Sequence, residues 1–354
     1  MIKREETRIV QNSTLLFGHS NNILIQSMCD IKTSKTKEVI KQINACANAG
    51  ANLMRISVFD EDDANAIKTI RKFVKIPLVA DIHFDYKLAL ISMENGIDKI
   101  RINPGNITSE EQLKKIIECA KKHNTIIRIG VNSGSLSKDS KGSTEEEKLV
   151  DSALKYIRFF EDNGFYKIVI SLKSSNPITT YKAYMLFSEK SDYPTHIGVT
   201  ESGFDEIGII RSVAGLSPLL LNGIGNTMRI SLTKNPLKEI ETCKRLLHDL
   251  GLFKKYPTII SCPTCGRCTV SNTKELAEKT LKYCIKHKKY ITVAIMGCVV
   301  NGVGEGKNAD IGLAGGKESF IIFKKGQAVK TVDQDSALEE LFKEIDNFNV
   351  NENL

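Results

Sequence analysis

The 354-residue sequence has no run of about eighteen or more apolar residues, so nothing in it would cross a bilayer as a helix. Its opening stretch, MIKREETRIVQNSTLLFGH, lacks the apolar core and small-residue cleavage site of a secretory signal. A cytoplasmic protein without membrane contacts is expected. No low-complexity segment interrupts the chain, and the Asn-rich end NFNVNENL is expected to fray. A disulfide framework is missing too. Nine cysteines is an odd number, and without an export signal, metal binding or simple burial is favoured. Large excess of one charge is also absent. Fifty Lys and Arg against forty-two Asp and Glu leave +8, which suits an anionic substrate as well as nucleic acid and decides between neither.

What is present is a repeated alternation. Apolar, β-branched runs recur as ILIQSM (23–28), LMRISV (53–58), PLVADI (77–82), KIRIN (99–103), TIIRIGV (125–131), KIVISLK (167–173), THIGVT (195–200) and TMRISL (227–232). Between them lie helical patterns such as SKTKEVIKQINACANAG, long enough to cross from one parallel strand to the next. Eight such units predict a TIM-type (β/α)8 barrel over residues 1–252, with its eighth helix near 236–250. Gly251 and Pro257 then break the helical period. Residues 253–354 change character: a cysteine loop, a helix near 273–286, short strands around YITVAIMG, ADIGLAG, SFIIF and AVKTV, and a closing helix predict a small α+β domain.

Several barrel strands carry polar residues at the two-residue period that keeps side chains on one face. These are Asp81 and His83, Arg101 and Asn103, Arg229 and Ser231, and, at double the step, Arg128 and Asn132; Arg55, Lys173 and Glu201 stand singly. Nearly all fall toward C-terminal strand ends, the rim where barrel enzymes build active sites. Each alone reads as a satisfied structural charge. Five strands each placing a cation on one rim call for a polyanion, since buried cations are costly unless paired. Arginine forks match phosphate oxygens, so a diphosphate is the simplest ligand. Glu201 would then either act as general acid/base or brace an arginine.

Cys29, Cys46, Cys119, Cys243 and Cys284 are scattered, most of them as packing residues. Cys262, Cys265 and Cys268 form Cys-x-x-Cys-x-x-Cys in SCPTCGRC, and MGCVVNGVGEG adds Cys298 and, seven residues on, Glu305. The spacing suits either tetrahedral zinc or a [4Fe–4S] cluster. A redox cluster would act on a ligand held by the barrel cations. A zinc site would instead fit a zinc-ribbon nucleic-acid binder, or a cluster-free barrel transferase with a zinc-stapled module.

The stretches IQSM, PLVADIHFDYKLAL, IRINPGNI, IRIGVNSGSL, HIGVTESG, GIGNTMRISL, SCPTCGR and MGCVVNGVGE closely resemble the 4-hydroxy-3-methylbut-2-enyl diphosphate synthases in their two-domain bacterial form. They span residues 25–306. The resemblance implies a barrel that binds 2-C-methyl-D-erythritol 2,4-cyclodiphosphate and a [4Fe–4S] domain that supplies electrons from reduced flavodoxin or ferredoxin. By this resemblance the cluster ligands fall on Cys262, Cys265, Cys298 and Glu305. Substrate contacts fall on Arg55, Asp81, His83, Arg101, Asn103, Arg128, Asn132, Lys173, Arg229, Ser231 and Asn301, and the acid/base on Glu201. It also implies a homodimer in which one subunit's cluster domain caps its partner's barrel. A short linker at 251–258, leaving the end of the eighth helix away from the rim, points the same way. Three features depart from the family pattern: the extra thiol Cys268, Val303 where proline is expected, and IQSMCDIKT, which leaves Cys29 and Asp30 without an assigned role.

Overall fold

The computed structural model describes all residues except 108, 137–139, 234, 267, 299–305, 317 and 349–354. Asn301, Val303 and Glu305, together with most of the NFNVNENL tail, therefore lie outside the described residues. The chain divides into two units, Met1–Leu252 and Phe253–Leu354.

The first unit opens with a small antiparallel hairpin, β1 (Val10–Gln11) and β2 (Leu16–Phe17). The Asn12 side chain closes its turn by accepting from Thr14 N and Leu15 N. Strands of two residues carry too little alternation to be read from sequence, and this hairpin was not anticipated. Eight parallel strands follow: β3 (Leu24–Met28), β4 (Leu53–Val58), β5 (Leu78–Ile82), β6 (Lys99–Ile102), β7 (Ile126–Asn132), β8 (Ile168–Lys173), β9 (His196–Ile197) and β10 (Thr227–Met228). They pair in the order β8-β7-β6-β5-β4-β3-β10-β9, and a bridge from Ile170 to Thr195 links β8 back to the start of β9. The expected eight-unit barrel is present.

The crossovers are α1 (Thr36–Ala49), α2 (Glu61–Arg71), α3 (Tyr86–Glu94), α4 (Glu110–His123), α5 (Glu145–Asp162), α6 (Pro177–Ser188), α7 (Asp205–Leu221) and α8 (Pro236–Asp249). Local chemistry sets their ends. Asp60 accepts from Asp63 N at the start of α2, Thr144 and Glu147 form a reciprocal capping box on α5, and Asn235 followed by Pro236 opens α8. Outward strand residues such as Met54, Ile56, Ile100, Ile127 and Ile170 are fully buried under these helices.

β9 and β10 are much shorter than the runs THIGVT and TMRISL suggest. Arg229 N still donates to Ile197 O, but further along the backbone groups find other partners: Leu232 N donates to the Glu239 carboxylate at 3.0 Å, and Ser202 Oγ donates to Ser231 O. The ladder stops where side chains take over its hydrogen bonds.

The second unit is a five-stranded sheet, β11 (Thr258–Ser261), β12 (Thr292–Met296), β13 (Ile311–Gly315), β14 (Ser319–Lys324) and β15 (Gln327–Asp333), paired in that order. The first three run parallel and the last two antiparallel. Helix α9 (Thr273–Lys286) and the last helix (Ala337–Asp346) bury Leu276, Cys284, Leu341 and Ile345 against Val293, Ile295, Leu313 and Ile322. This is the expected small α+β domain. Of the scattered cysteines, Cys29, Cys46, Cys243 and Cys284 are buried, and burial raises their thiol pKa values, to about 12 for Cys243. They are packing residues without thiolate character.

Candidate active site at the barrel mouth and the cysteine loop

In a parallel sheet, paired residues present side chains to the same face, so the register fixes what points inward. Met28 pairs with Arg55, Asp81 with Arg101, Arg101 with Arg128, and Asn132 with Lys173. All of these face the interior. All but Met28 bound a cavity of about 170 Å³ lined by Arg55, Asp81, His83, Arg101, Arg128, Asn132, Ser171, Lys173, Thr200, Arg229 and Ser231. Five cations from β4, β6, β7, β8 and the chain just after β10 thus meet one carboxylate.

That carboxylate is shared. Asp81 lies 3.4 Å from Arg101 Nη1, 3.3 Å from His83 Nε2 and 3.8 Å from Arg55 Nε, with its side chain 7 % exposed. Burial alone would raise its pKa, but the Arg55 charge, the His83 hydrogen bond and the Arg101 charge outweigh it and hold Asp81 far below the usual carboxylate range. Arg101 is held further by Asn132, whose amide oxygen accepts from Nη2 at 3.1 Å in the orientation that also satisfies its nitrogen. His83 is aimed by an unusual turn. Asp85 N donates to His83 O at 2.7 Å around Phe84, whose φ of +62° is in the left-handed region.

Arg229 has its own counter-charge in Glu239, 2.7 Å away, whereas Arg128 and Lys173 have no carboxylate ion pair among the described residues. Arg128 is 1 % exposed, and its Nε and Nη1 find no acceptor. Burial, then the neighbouring arginines Arg55 and Arg101, push its pKa down; burial and then Arg128 do the same to Lys173, and burial brings Arg55 to about 10. Like charges crowded out of water at one mouth favour an anion that would stabilise their charged forms.

Sequence reasoning passed over several members of this site. Ser171 and Thr200 line the cavity. Met28 Sδ sits 2.8 Å from Arg55 Nη2 and 3.5 Å from Arg229 Nη1, a neutral acceptor between two guanidiniums. Gly130 and Gly198 make room: a Cβ at Gly130 would come 2.7 Å from Arg101 Nε, and one at Gly198 would come 2.8 Å from Lys173 Nζ. Glycines inside strands were the available signal. Glu239 of α8 grips Arg229 from behind the wall, and nothing in LKEIETC marks it.

Two expected site residues stand apart from the cavity lining. Asn103 is buried, and its side-chain oxygen accepts from Gly105 N, capping the 3-10 turn Pro104–Asn106. Glu201 is on the rim, exposed, with φ +50°. A larger surface hollow of about 800 Å³ is lined by Arg8, Glu161, Asp192 and Tyr193 among others. Its Arg8 is paired with Asp192 at 2.5 Å and Glu161 at 3.4 Å, and its cations alternate with the carboxylates of Glu147, Asp151, Glu161 and Asp192.

In the second unit, Cys262 directly follows β11 and Cys298 lies two residues past the end of β12, on adjacent parallel strands in register. Cys262 N donates to Ile295 O, and the loop returns through Thr269 N, which donates to Gly297 O at 2.9 Å. Cys265, in the loop, is exposed. The Cys268 thiol donates to Val270 O at 3.1 Å and packs where a Cβ on Gly297, the neighbour of Cys298, would fall. None of the nine cysteines is in a disulfide.

With this arrangement in view, the comparisons are decisive. Residues 7–244 match the GcpE TIM-barrel domain and residues 258–347 the GcpE protein C-terminal domain. The chain belongs to the GcpE family. Among its relatives, the protein of Caldanaerobacter subterraneus subsp. tengcongensis is 49% identical over 98% of both chains. That of Clostridium perfringens is 46% identical over 98% of this chain and 99% of its own. That of Bacillus subtilis is 44% identical over 97% and 92%. Each is named 4-hydroxy-3-methylbut-2-en-1-yl diphosphate synthase (flavodoxin). Among solved structures, the Thermotoga maritima phospho-2-dehydro-3-deoxyheptonate aldolase aligns with a TM-score of 0.51 at 11% identity, covering 72% of this chain and 78% of its own. Yersinia pestis dihydropteroate synthase aligns at 0.50 and 12%, covering 69% and 98%. At such identities the likeness is one of barrel fold alone. GcpE membership leaves the zinc-ribbon and cluster-free transferase readings without support. No helix among the described residues is long and apolar enough to cross a membrane.

Proposed function

We propose that this GcpE chain is an oxidoreductase of isoprenoid biosynthesis. It opens the ring of 2-C-methyl-D-erythritol 2,4-cyclodiphosphate reductively and releases water, giving 4-hydroxy-3-methylbut-2-enyl diphosphate, with reduced flavodoxin as electron donor. The observation that carries this reading is the convergence of Arg55, Arg101, Arg128, Lys173 and Arg229 on one cavity with Asp81 as its lone carboxylate.

The diphosphate occupies this cation cluster, its charge offsetting the mutual repulsion of the five groups. Asp81, His83, Asn132 and Ser231 orient the substrate hydroxyls and the arginines, Asn103 contributes by holding the turn after β6, and Asn301 is a further substrate contact implied by the family resemblance. Glu201, on the rim, gives up a proton during ring opening and water loss, and its backbone is held in the left-handed region. Gly130 and Gly198 keep Arg101 and Lys173 close to the barrel axis.

The electrons require a cofactor, and three thiols with a carboxylate are donor types that suit a [4Fe–4S] cluster, although no three metal-ligating side chains are gathered at one point among the described residues. Cys262, Cys265 and Cys298 sit around the C-terminal ends of β11 and β12, their thiols uncommitted to disulfides, while the Cys268 thiol is hydrogen-bonded to Val270 O. Glu305 completes the set. When bound, such a cluster supplies single electrons to the substrate and, through its carboxylate-held iron, a Lewis acid. The chain works in the cytoplasm as a homodimer, the cluster domain of one subunit serving the barrel of the other.

Metal and sulfide analysis of anaerobically purified protein tests the reading: about four iron and four sulfide per chain are expected. Stoichiometric zinc without sulfide would overturn it.

A further inference from the structure

We propose that Glu239 is a positioning residue of the substrate clamp, fixing the direction of the Arg229 guanidinium before any ligand arrives. The inference rests on the reading of the barrel mouth as a diphosphate site. Glu239 lies in the first turn of α8, outside the barrel wall, and is 2 % exposed. It does not line the cavity. Its carboxylate receives four donors: Arg229 Nε at 3.0 Å and Nη2 at 2.7 Å, Ser27 Oγ at 2.6 Å and Leu232 N at 3.0 Å.

Those donors come from separate pieces of chain. Ser27 is on the outward face of β3, and Leu232 is in the segment after β10 where strand pairing has ended. The carboxylate is therefore pinned independently of the arginine, and a pinned carboxylate taking two parallel N–H bonds sets the plane of the guanidinium. The remaining nitrogen, Nη1, is left facing the thioether of Met28 at 3.5 Å. A neutral sulfur competes weakly, so Nη1 is the arm free to meet an anion.

Placement behind the wall matters electrostatically. A carboxylate in the mouth would repel a diphosphate at close range. At Glu239 the negative charge is absorbed by four donors while its directing effect passes through Arg229. This contrasts with Arg128, whose Nε and Nη1 have no acceptor and whose orientation the ligand itself must supply.

Calorimetric titration of the intact, anaerobically isolated protein with the cyclodiphosphate reads affinity without needing turnover. Wild type is expected to bind, and Glu239→Gln, which keeps the shape but sets an amide nitrogen among the four donors, to bind about 10- to 100-fold more weakly. In turnover, KM should rise more than kcat falls. Glu239→Gln combined with Arg229→Ala should bind no more weakly than Arg229→Ala alone, and Glu239→Asp should recover part of the affinity. Failure of wild type to bind would overturn the diphosphate reading itself. Wild-type binding with unchanged affinity in Glu239→Gln, or additive losses in the double variant, would overturn the inference: a purely structural role lowers Tm and leaves the coupling with Arg229 at zero. If Glu239→Gln does not fold, Glu239→Asp decides, since it keeps the charge and withdraws the oxygens; unchanged affinity there is equally fatal.

Discussion

Gly198→Ala tests how tightly the mouth is built. The added Cβ would lie 2.7 Å from Arg229 O and 2.8 Å from Lys173 Nζ. The ammonium can swing aside. The Arg229 carbonyl belongs to backbone whose own N–H donates to Ile197 O at 3.1 Å, so β9 and the chain after β10 must separate by several tenths of an ångström. Overpacking of this kind costs about 1–3 kcal/mol. A unit of this size loses about 2–4 °C in Tm per kcal/mol, giving a fall of roughly 2–12 °C. Gly130→Ala differs, because its nearest neighbours are the Arg101 Nε at 2.7 Å and Nη2 at 3.3 Å and the Ser171 hydroxyl at 3.3 Å, all of them side-chain atoms. It should weaken cyclodiphosphate binding with little change in Tm, while Gly198→Ala lowers both. Gly134→Ala, with nothing within 4 Å, is the control and should stay within about 0.5 kcal/mol of wild type. Scanning calorimetry and titration of the three variants separate the effects. A Gly198→Ala protein with wild-type Tm and affinity would refute the close approach of Lys173 and Arg229 at this point.

Cys262→Ser, Cys265→Ser and Cys298→Ser should each abolish iron binding, whereas Cys268→Ser should retain it; loss in the last would show that the wrong thiol has been assigned. Asp81, whose folded pKa is depressed, adds stability at pH values above its unfolded pKa of about 3.9 and loses it as pH falls below that toward the folded value. Wild type should therefore lose stability more steeply than Asp81→Asn between about pH 5 and pH 2 in denaturant titrations, and parallel slopes would contradict the assigned network. Glu201→Ala and Cys298→Ser, each inactive alone, should complement on co-expression to roughly a quarter of wild-type activity if sites form across a dimer. Background activity despite demonstrated mixed dimers would place both halves of the site in one chain.

Much of this architecture was legible in the residues. Eight β-branched runs separated by helical periods sufficed for a parallel barrel, because strand and helix periods are local properties of the chain. Inward-facing Asp81, Arg101, Arg128 and Arg229 were visible because a two-residue alternation fixes the face of a strand without knowledge of its neighbours. The β1–β2 hairpin was not, being too short to show a period. The early end of pairing at β9 and β10 was hidden as well, since it depends on Glu239 and Ser202 capturing backbone groups from elsewhere in the fold.

By itself, then, the sequence determined which residue types stand at the rim and that cysteines gather in one loop. Tertiary structure decided which of them act on one another. Asp81 became the shared partner of Arg55, Arg101 and His83, Asn103 turned to cap its own loop, and Glu239 reached through the wall to hold Arg229. Such contacts join positions up to hundreds of residues apart, as Ser27 and Glu239 do. Periodicity carries no record of them, because it reports the direction of a side chain and only closure of the barrel sets what lies at the end of it.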